Sequence, residues 1–434
     1  MIDALVTGRS VTALLAALDL AEVGLRVLVA TDARIGEPPA APVRDPEGVV
    51  ADFLRRVAAP IEGTGAEPSA DVLPRVIEPV TPLLVDRDGL WAPQSEPSVL
   101  GIPAVPLSAE SLRLLGRGGA VRAYLDRVTP LLTVGKTSEL GTLVQKRLGT
   151  AARERLVEPE VRERFGVCAS DVDVAVAAPG LNEALSRVGS LTAAALAYSD
   201  RNVARETRVE PAGGGAQLKA ALLRKLDLYG AQFADAIVMR VETAEGGWRA
   251  ELSDGQLVEA RALVLDFGRS AERTEVLDAL CPELLPHRVR VHAATDIELP
   301  EWLGAGRSAV RWSDGWSVRV EARAGEDARA FFASDALAQV PEVNGVAAIL
   351  DPLLERDGVV PAPNAEWAIG VAAAPFATLA ERDAAEAMLA GAAARDPELL
   401  PGGRVLWGDD LGPALASAHS SAVALRRRLT GLAE

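Results

Sequence analysis

Apolar and polar positions fall into different rhythms along the chain, and each rhythm predicts an element. Ala4-Leu5-Val6-Thr7 is a short, nearly unbroken apolar run, the pattern of a buried strand. Val11 to Val23 is an Ala/Leu-rich helical stretch, and Gly24 supplies the left-handed conformation that ends a helix. Arg26 to Ala30 is a second apolar strand. Strand, helix and strand in succession predict a βαβ unit at the N-terminus. A Pro-rich surface loop, Gly36 to Pro42, follows.

The rhythm then changes several times. Residues 48–58 predict an amphipathic helix, and 82–95 a strand pair turning near Asp86-Arg87-Asp88-Gly89. Residues 108–200 are mostly helical in pattern, and 215–228 form one more helix. Strands are predicted at 236–243, 248–253 and 257–266, the last two joined by Ser253-Asp254-Gly255. Residues 286–349 are β-rich, 377–394 an Ala-rich helix, Val405-Leu406-Trp407 a short strand, and Ala414 to Leu429 a final helix. No internal repeat is present.

Composition narrows the class. Of 434 residues, 49% are hydrophobic and 24% charged, which suits a globular protein with a true core. Aromatic residues are only 4%, so Ala, Val and Leu must fill that core. The net charge of −16 repels phosphate backbones and argues against a nucleic-acid partner. Cys168 and Cys281 are the only cysteines, and His287, His292 and His419 the only histidines. That excludes a disulfide scaffold and a histidine-rich metal site, so no metal is expected, and a cytoplasmic setting is the simplest. Asp3 and Arg9 break any signal-peptide pattern. No uncharged apolar window reaches the roughly 18 residues of a membrane span, so only peripheral membrane contact stays open.

The first candidate site lies between strand and helix, in Gly8-Arg9-Ser10-Val11-Thr12-Ala13. A dinucleotide fold places G-x-G-x-x-G there, and the helix N-terminus offers N–H groups to a pyrophosphate. Gly8 keeps the tight turn, Ser10 stands where the second glycine lets backbone approach the phosphates, and Ala13 is an accepted third member. Arg9 could add charge. An acidic group at the end of the second strand would bind a ribose, and the nearest residues are Thr31 and Asp32. A Rossmann-like unit without a ligand explains the loop equally well.

Several distant segments, read together, resemble one family. Pro211-Ala212-Gly213-Gly214-Gly215-Ala216-Gln217-Leu218 resembles the "GG-x-x-x-L" helix entry of flavin amine oxidases, phytoene desaturases and protoporphyrinogen oxidases. Val405 to Asp410 resembles their closing "G-D/N" motif, with Ser420-Ser421 where Ser-Gly is usual. Leu140 to Gly149 followed by Glu154-Arg155-Leu156-Val157-Glu158-Pro159 resembles the protoporphyrinogen oxidase run "FVRRRLG…ERLVEP". Asp88 to Pro93, Gly101-Ile102-Pro103, Ala177 to Leu181 and Trp367 to Pro375 fit the same order. The chain therefore resembles the protoporphyrinogen oxidase-like family of FAD-dependent oxidoreductases over nearly its whole length.

That resemblance implies an α/β fold: a Rossmann-like FAD/NAD(P)-binding domain with a helical insertion and a mixed-sheet substrate domain. The expected partition is 1–50, 205–270 and 395–434 for the FAD-binding-like domain, 96–204 for the helical domain, and 51–95 with 271–394 for the substrate-type β domain. It implies FAD, held by the residues at 8–13, Thr31, Asp32, Gly213, Gly214, the Val238 backbone, Gly408, Asp409 and Asp410. It implies oxidation of a porphyrinogen to a porphyrin in heme biosynthesis, with a tetrapyrrole as the small-molecule substrate and chemistry carried by the flavin. No catalytic side chain is singled out. Arg87, Arg117 and Arg122 are candidates for substrate carboxylates, against the plainer expectation of solvated surface arginines.

The departures from the family pattern cluster at the cofactor. Ser10 replaces glycine, no glutamate ends the second strand, and Arg34-Ile35-Gly36-Glu37 lacks the second glycine of "R-x-G-G". The following loop is shortened between Pro42 and the 48–58 helix. These departures motivate a second hypothesis, a non-catalytic homologue that has lost FAD and acts as a binding or scaffold protein. A flavoprotein for amines or carotenoid precursors is a third, and the helical middle segment argues against it.

Overall fold

The computed structural model describes residues 2–30, 42–61, 68–77, 81–129, 138–266, 288–304, 306–322, 327–338, 345–408 and 410–431. The chain forms two compact units. Unit 1 comprises Met1–Glu78, Arg205–His287 and Arg382–Glu434, and unit 2 comprises Pro79–Ala204 and Arg288–Glu381.

Unit 1 begins with the expected βαβ. Strand β1 (Ile2–Val6) leads into helix α1 (Val11–Ala21) and strand β2 (Val27–Ala30). Ala4, Leu5 and Val6 have no exposed surface, because β1 is central in the sheet and covered on both faces. The sheet order is Gln232–Ala234, β2, β1, Leu257–Asp266, Gly247–Leu252, Val238–Ala244. β1 runs parallel to β2 and to the Leu257–Asp266 strand, which turns back antiparallel into the hairpin Gly247–Leu252. The C-terminal end of Leu257–Asp266 pairs in parallel with Leu399–Gly402.

That pairing corrects one expectation. The short strand near the C-terminus is Leu399–Gly402, and Arg404–Trp407 is a turn of 3-10 helix. Gly403 takes a φ of 116°, which ends the strand and redirects the chain.

α1 packs against the final helix, Leu411–Leu429, and against Gly215–Leu228. Asp19 of α1 is fully buried, yet it is well supplied with donors. Arg56 of helix α2 (Val49–Ala58) reaches it at 2.6 Å, and His419 Nδ1 lies 2.9 Å away. His419 thus ties the last helix to the first.

Unit 2 joins a seven-stranded sheet to a group of helices. The sheet runs Ala368–Ala373, Val289–Glu298, Asp327–Ser334, Trp316–Ala322, Ser308–Ser313, Leu83–Val85, Trp91–Pro93, and is antiparallel except between Ser308–Ser313 and Leu83–Val85. Among the helices are α3 (Ala109–Tyr124), kinked at Gly116, and α4 (Leu140–Leu148). The family-like segments meet here, and their residues act structurally. Arg147 is buried, with Nε 2.5 Å from Asp126 Oδ1 and its Nη atoms donating to the carbonyls of Thr129, Asp126 and Gly189. A Cβ on Gly101 would lie 2.1 Å from the Leu156 carbonyl oxygen, so only glycine lets that turn press on the Arg153–Val157 segment. Glu158 receives Arg162 Nε and the Ala169 N–H.

Removing Arg147 leaves the Asp126 carboxylate buried without its counter-charge. Arg147→Ala is expected to cost about 3–5 kcal/mol, read by urea denaturation. A second expectation concerns the 86–90 turn. Burial alone would raise the Asp86 carboxyl, but N–H groups of Leu90 and Asp88 and the Arg113 guanidinium outweigh it and hold it below its ordinary value. Its contribution is present above its unfolded value, near 3.8, and is lost as pH falls through the lower folded value. The stability gap between wild type and Asp86→Asn should therefore shrink in denaturation curves recorded below about pH 4.

Candidate functional site

The sharpest polar constellation in unit 1 sits at the turn between β1 and α1. Thr7-Gly8-Arg9-Ser10 leaves the C-terminal end of β1, where open α/β sheets bind ligands. Ser10 is the N-cap of α1, its Oγ accepting the Ala13 N–H at 3.2 Å and lying 3.0 Å from Thr12 Oγ1. Val11, Thr12 and Ala13 make the first turn, with Thr12 and Ala13 buried.

The chain itself supplies an anion to this turn. Asp266 ends the neighbouring parallel strand, and its Oδ2 accepts the Ser10 N–H at 3.0 Å. Its Oδ1 accepts the Ser10 hydroxyl at 2.7 Å, and its own N–H donates to Thr7 Oγ1 at 3.0 Å. A Cβ on Gly8 would stand 2.2 Å from Asp266 Oδ2, so the absence of a side chain at Gly8 is what admits the carboxylate. Gly8 is expected to keep the tight turn; here its missing side chain also admits a close approach, and the group that approaches is internal.

A pyrophosphate at a helix N-terminus needs the same donors. Here Asp266 takes the Ser10 N–H and the Ser10 hydroxyl takes the Ala13 N–H, and a second anion at the Ser10 N–H would face like-charge repulsion at hydrogen-bonding range. While Asp266 is bonded to Ser10, a phosphate cannot take the Ser10 N–H. Asp266 was the residue the sequence pattern left unremarked. Its signal was an acid closing the apolar run Ala262-Leu263-Val264-Leu265, at the sheet end where ligands bind.

The other candidate residues are dispersed in role. Arg9 Nε is buried without a hydrogen-bond partner, and its guanidinium lies 6.0 Å from the Phe233 ring centroid, which gives it a cation–π contact. Gly213 donates its N–H to the Asp71 carbonyl, and a Cβ there would press on Asp71 at 2.9 Å. Gly214, at φ 82°, caps Gly215–Leu228. Val238 begins the edge strand paired with Gly247–Leu252. Gly408 is buried at φ 58°, and Asp410 is the exposed residue before the final helix. Thr31, Asp32 and Asp409 lie outside the described residues, as do Arg34 to Glu37.

In unit 2, two of the candidate arginines have structural contacts. Arg122 donates to the carbonyls of Lys146 and Arg147 at the end of α4, and Arg87 packs over Gly116. Arg117 is exposed. Trp312 is held by Asp335 through Nε1 and lies under Arg162, 4.1 Å from the ring centroid. Burial, then the Asp171 carboxylate, push the Cys168 thiol up, away from thiolate chemistry. Among the described residues, no cluster of three His, Cys, Asp or Glu side chains could hold a metal ion.

The mixed α/β fold is shared with several solved structures. An Exiguobacterium protein assigned as a protoporphyrinogen oxidase superposes with a TM-score of 0.73 at 16% identity, over 98% of this chain and 99% of that one. A reduced UDP-galactopyranose mutase superposes at 0.60 and 12% identity, over 100% and 94% of the two chains. Cyclohexylamine oxidase from Brevibacterium oxydans gives 0.57 and 14%, over 99% of each. No family model and no curated protein sequence matches the chain. At these identities the likeness is one of fold.

The contact between Gly8 and Asp266 can be tested directly. Gly8→Ala should cost about 1–3 kcal/mol through overpacking. Adding Asp266→Gly, which removes the Cβ at 2.7 Å together with the carboxylate, should return much of that loss, giving a clear coupling in a double-mutant cycle measured by denaturation.

Proposed function

We propose that this protein is a cofactor-free relative of the flavin oxidases, a binding or scaffold protein built on their fold. One observation carries the proposal: the Asp266 carboxylate holds the Ser10 N–H and hydroxyl at the turn where a dinucleotide would place its pyrophosphate. The replacement of glycine by Ser10 supports it, because the serine hydroxyl is one of the two donors that hold the carboxylate. The fold without the cofactor supplies no redox group, since flavin chemistry belongs to the flavin.

A second reading has its own support. The superposition with the Exiguobacterium protein extends over 98% of the chain, which favours an FAD-dependent oxidoreductase acting on a small molecule of the tetrapyrrole class. That reading requires Asp266 to leave Ser10 and a phosphate to take its place.

Absorbance separates the two. The purified chain should show no flavin bands, and titration with FAD should leave both its spectrum and its melting temperature unchanged. Near-stoichiometric flavin in the purified protein, or saturable quenching of FAD fluorescence, would establish the oxidoreductase reading instead.

A further inference from the structure

The Val238–Ala244 strand forms one edge of the unit 1 sheet. Among the described residues it pairs with one strand, Gly247–Leu252. Its run Val-Met-Arg-Val-Glu-Thr-Ala suits a strand, and Met239, Arg240, Glu242 and Thr243 are exposed. The Glu245-Gly246 turn closes on the pair Ala244 and Gly247, and backbone groups alternate in direction from there. Ala244, Glu242 and Arg240 turn theirs toward Gly247–Leu252, while Thr243 and Val241 turn theirs outward. An open edge of this kind is a template for another strand.

Proteins commonly protect such an edge with a bulge or a charge. The bulge, between Val238 and Arg240, leaves Arg240–Ala244 in regular register. The charges have opposite signs on either side of Val241. Arg240 and Glu242 share one face, and their side chains are 74% and 49% exposed. Behind them that face continues as a row of alternating charge, with Glu242 3.5 Å from Arg249 and Arg249 3.0 Å from Glu259. Arg240 ends the row, 4.0 Å from Glu242.

We propose that this edge is the seam of a two-fold dimer, in which the strand pairs antiparallel with the same strand of a second copy, centred on Val241. Charge complementarity selects this occupant and this register. With Val241 opposite its own copy, Arg240 stands opposite the partner's Glu242, and Glu242 opposite the partner's Arg240. A centre on Arg240 or on Glu242 would set like charges face to face, which is destabilising. The Val241 centre also uses the outward backbone groups, since Val241 exchanges N–H and C=O bonds with its copy. Positions 240 and 242 then form a non-hydrogen-bonded pair, the kind in which side chains come closest. The contact is isologous, so each attraction is made twice and the assembly closes at two chains.

Sedimentation velocity on the full chain over a concentration series tests the assignment. Wild type should pass from monomer to dimer as concentration rises. Arg240→Glu gives an acidic seam and Glu242→Arg a basic one, and each should weaken self-association by about tenfold or more, because two attractive cross-strand pairs become repulsive. An equimolar mixture of the two variants should dimerise again, since their seams carry opposite charges; recovery on mixing also shows that neither variant has lost its fold. A wild-type chain that stays monomeric up to millimolar concentration would overturn the proposal. So would a dimer that both single variants retain, or a mixture of the two variants that remains monomeric.

Discussion

The first turn of a helix presents N–H groups with no partner inside the helix, together with the positive end of its dipole. In α1 part of this demand is met from within the chain, the Ser10 hydroxyl taking the Ala13 N–H while Asp266 holds the Ser10 hydroxyl and N–H. Parallel pairing of Leu257–Asp266 with β1 brings the carboxylate to the level of Gly8. The missing side chain at Gly8 gives it room, and Ser10 gives it two donors. Thr7 fixes the backbone of Asp266 from the other side.

In a dinucleotide fold the same elements support a ligand site; here Asp266 links the end of its strand to the start of α1. The protein keeps the strand–turn–helix entry, the hairpin strands and the closing helix, yet the charge placed at their meeting point has the sign of a phosphate. In unit 2, Arg147, Gly101 and Glu158 show how other motif positions persist for structural reasons: a buried ion pair, a close backbone approach and a brace between helical segments.

Much of this was legible in the sequence, for physical reasons. Apolar runs located β1 and β2, since strands buried on both faces hold few polar positions; Asp3 of β1 is one, and Arg26 satisfies it. The helix at 215–228 and the strand at 257–266 were read with the bounds the structure gives them, because glycines and a Ser-Asp-Gly turn delimit them. The strand at Leu399–Gly402 was missed and placed at 405–407, because Pro401 and two glycines hide a segment that is held by its neighbour and not by its own propensity. Asp266 was not singled out for a similar reason. Its meaning depends on which strand lies beside β1, a contact spanning 256 residues that no local pattern encodes.

The most direct measurement is a crystal structure of the full chain grown with FAD in millimolar excess. The account predicts the Asp266 carboxylate bonded to the Ser10 N–H and hydroxyl, with no phosphate density at the start of α1. A pyrophosphate bonded to the Ser10 N–H, with the Asp266 side chain turned away from it, would contradict the account.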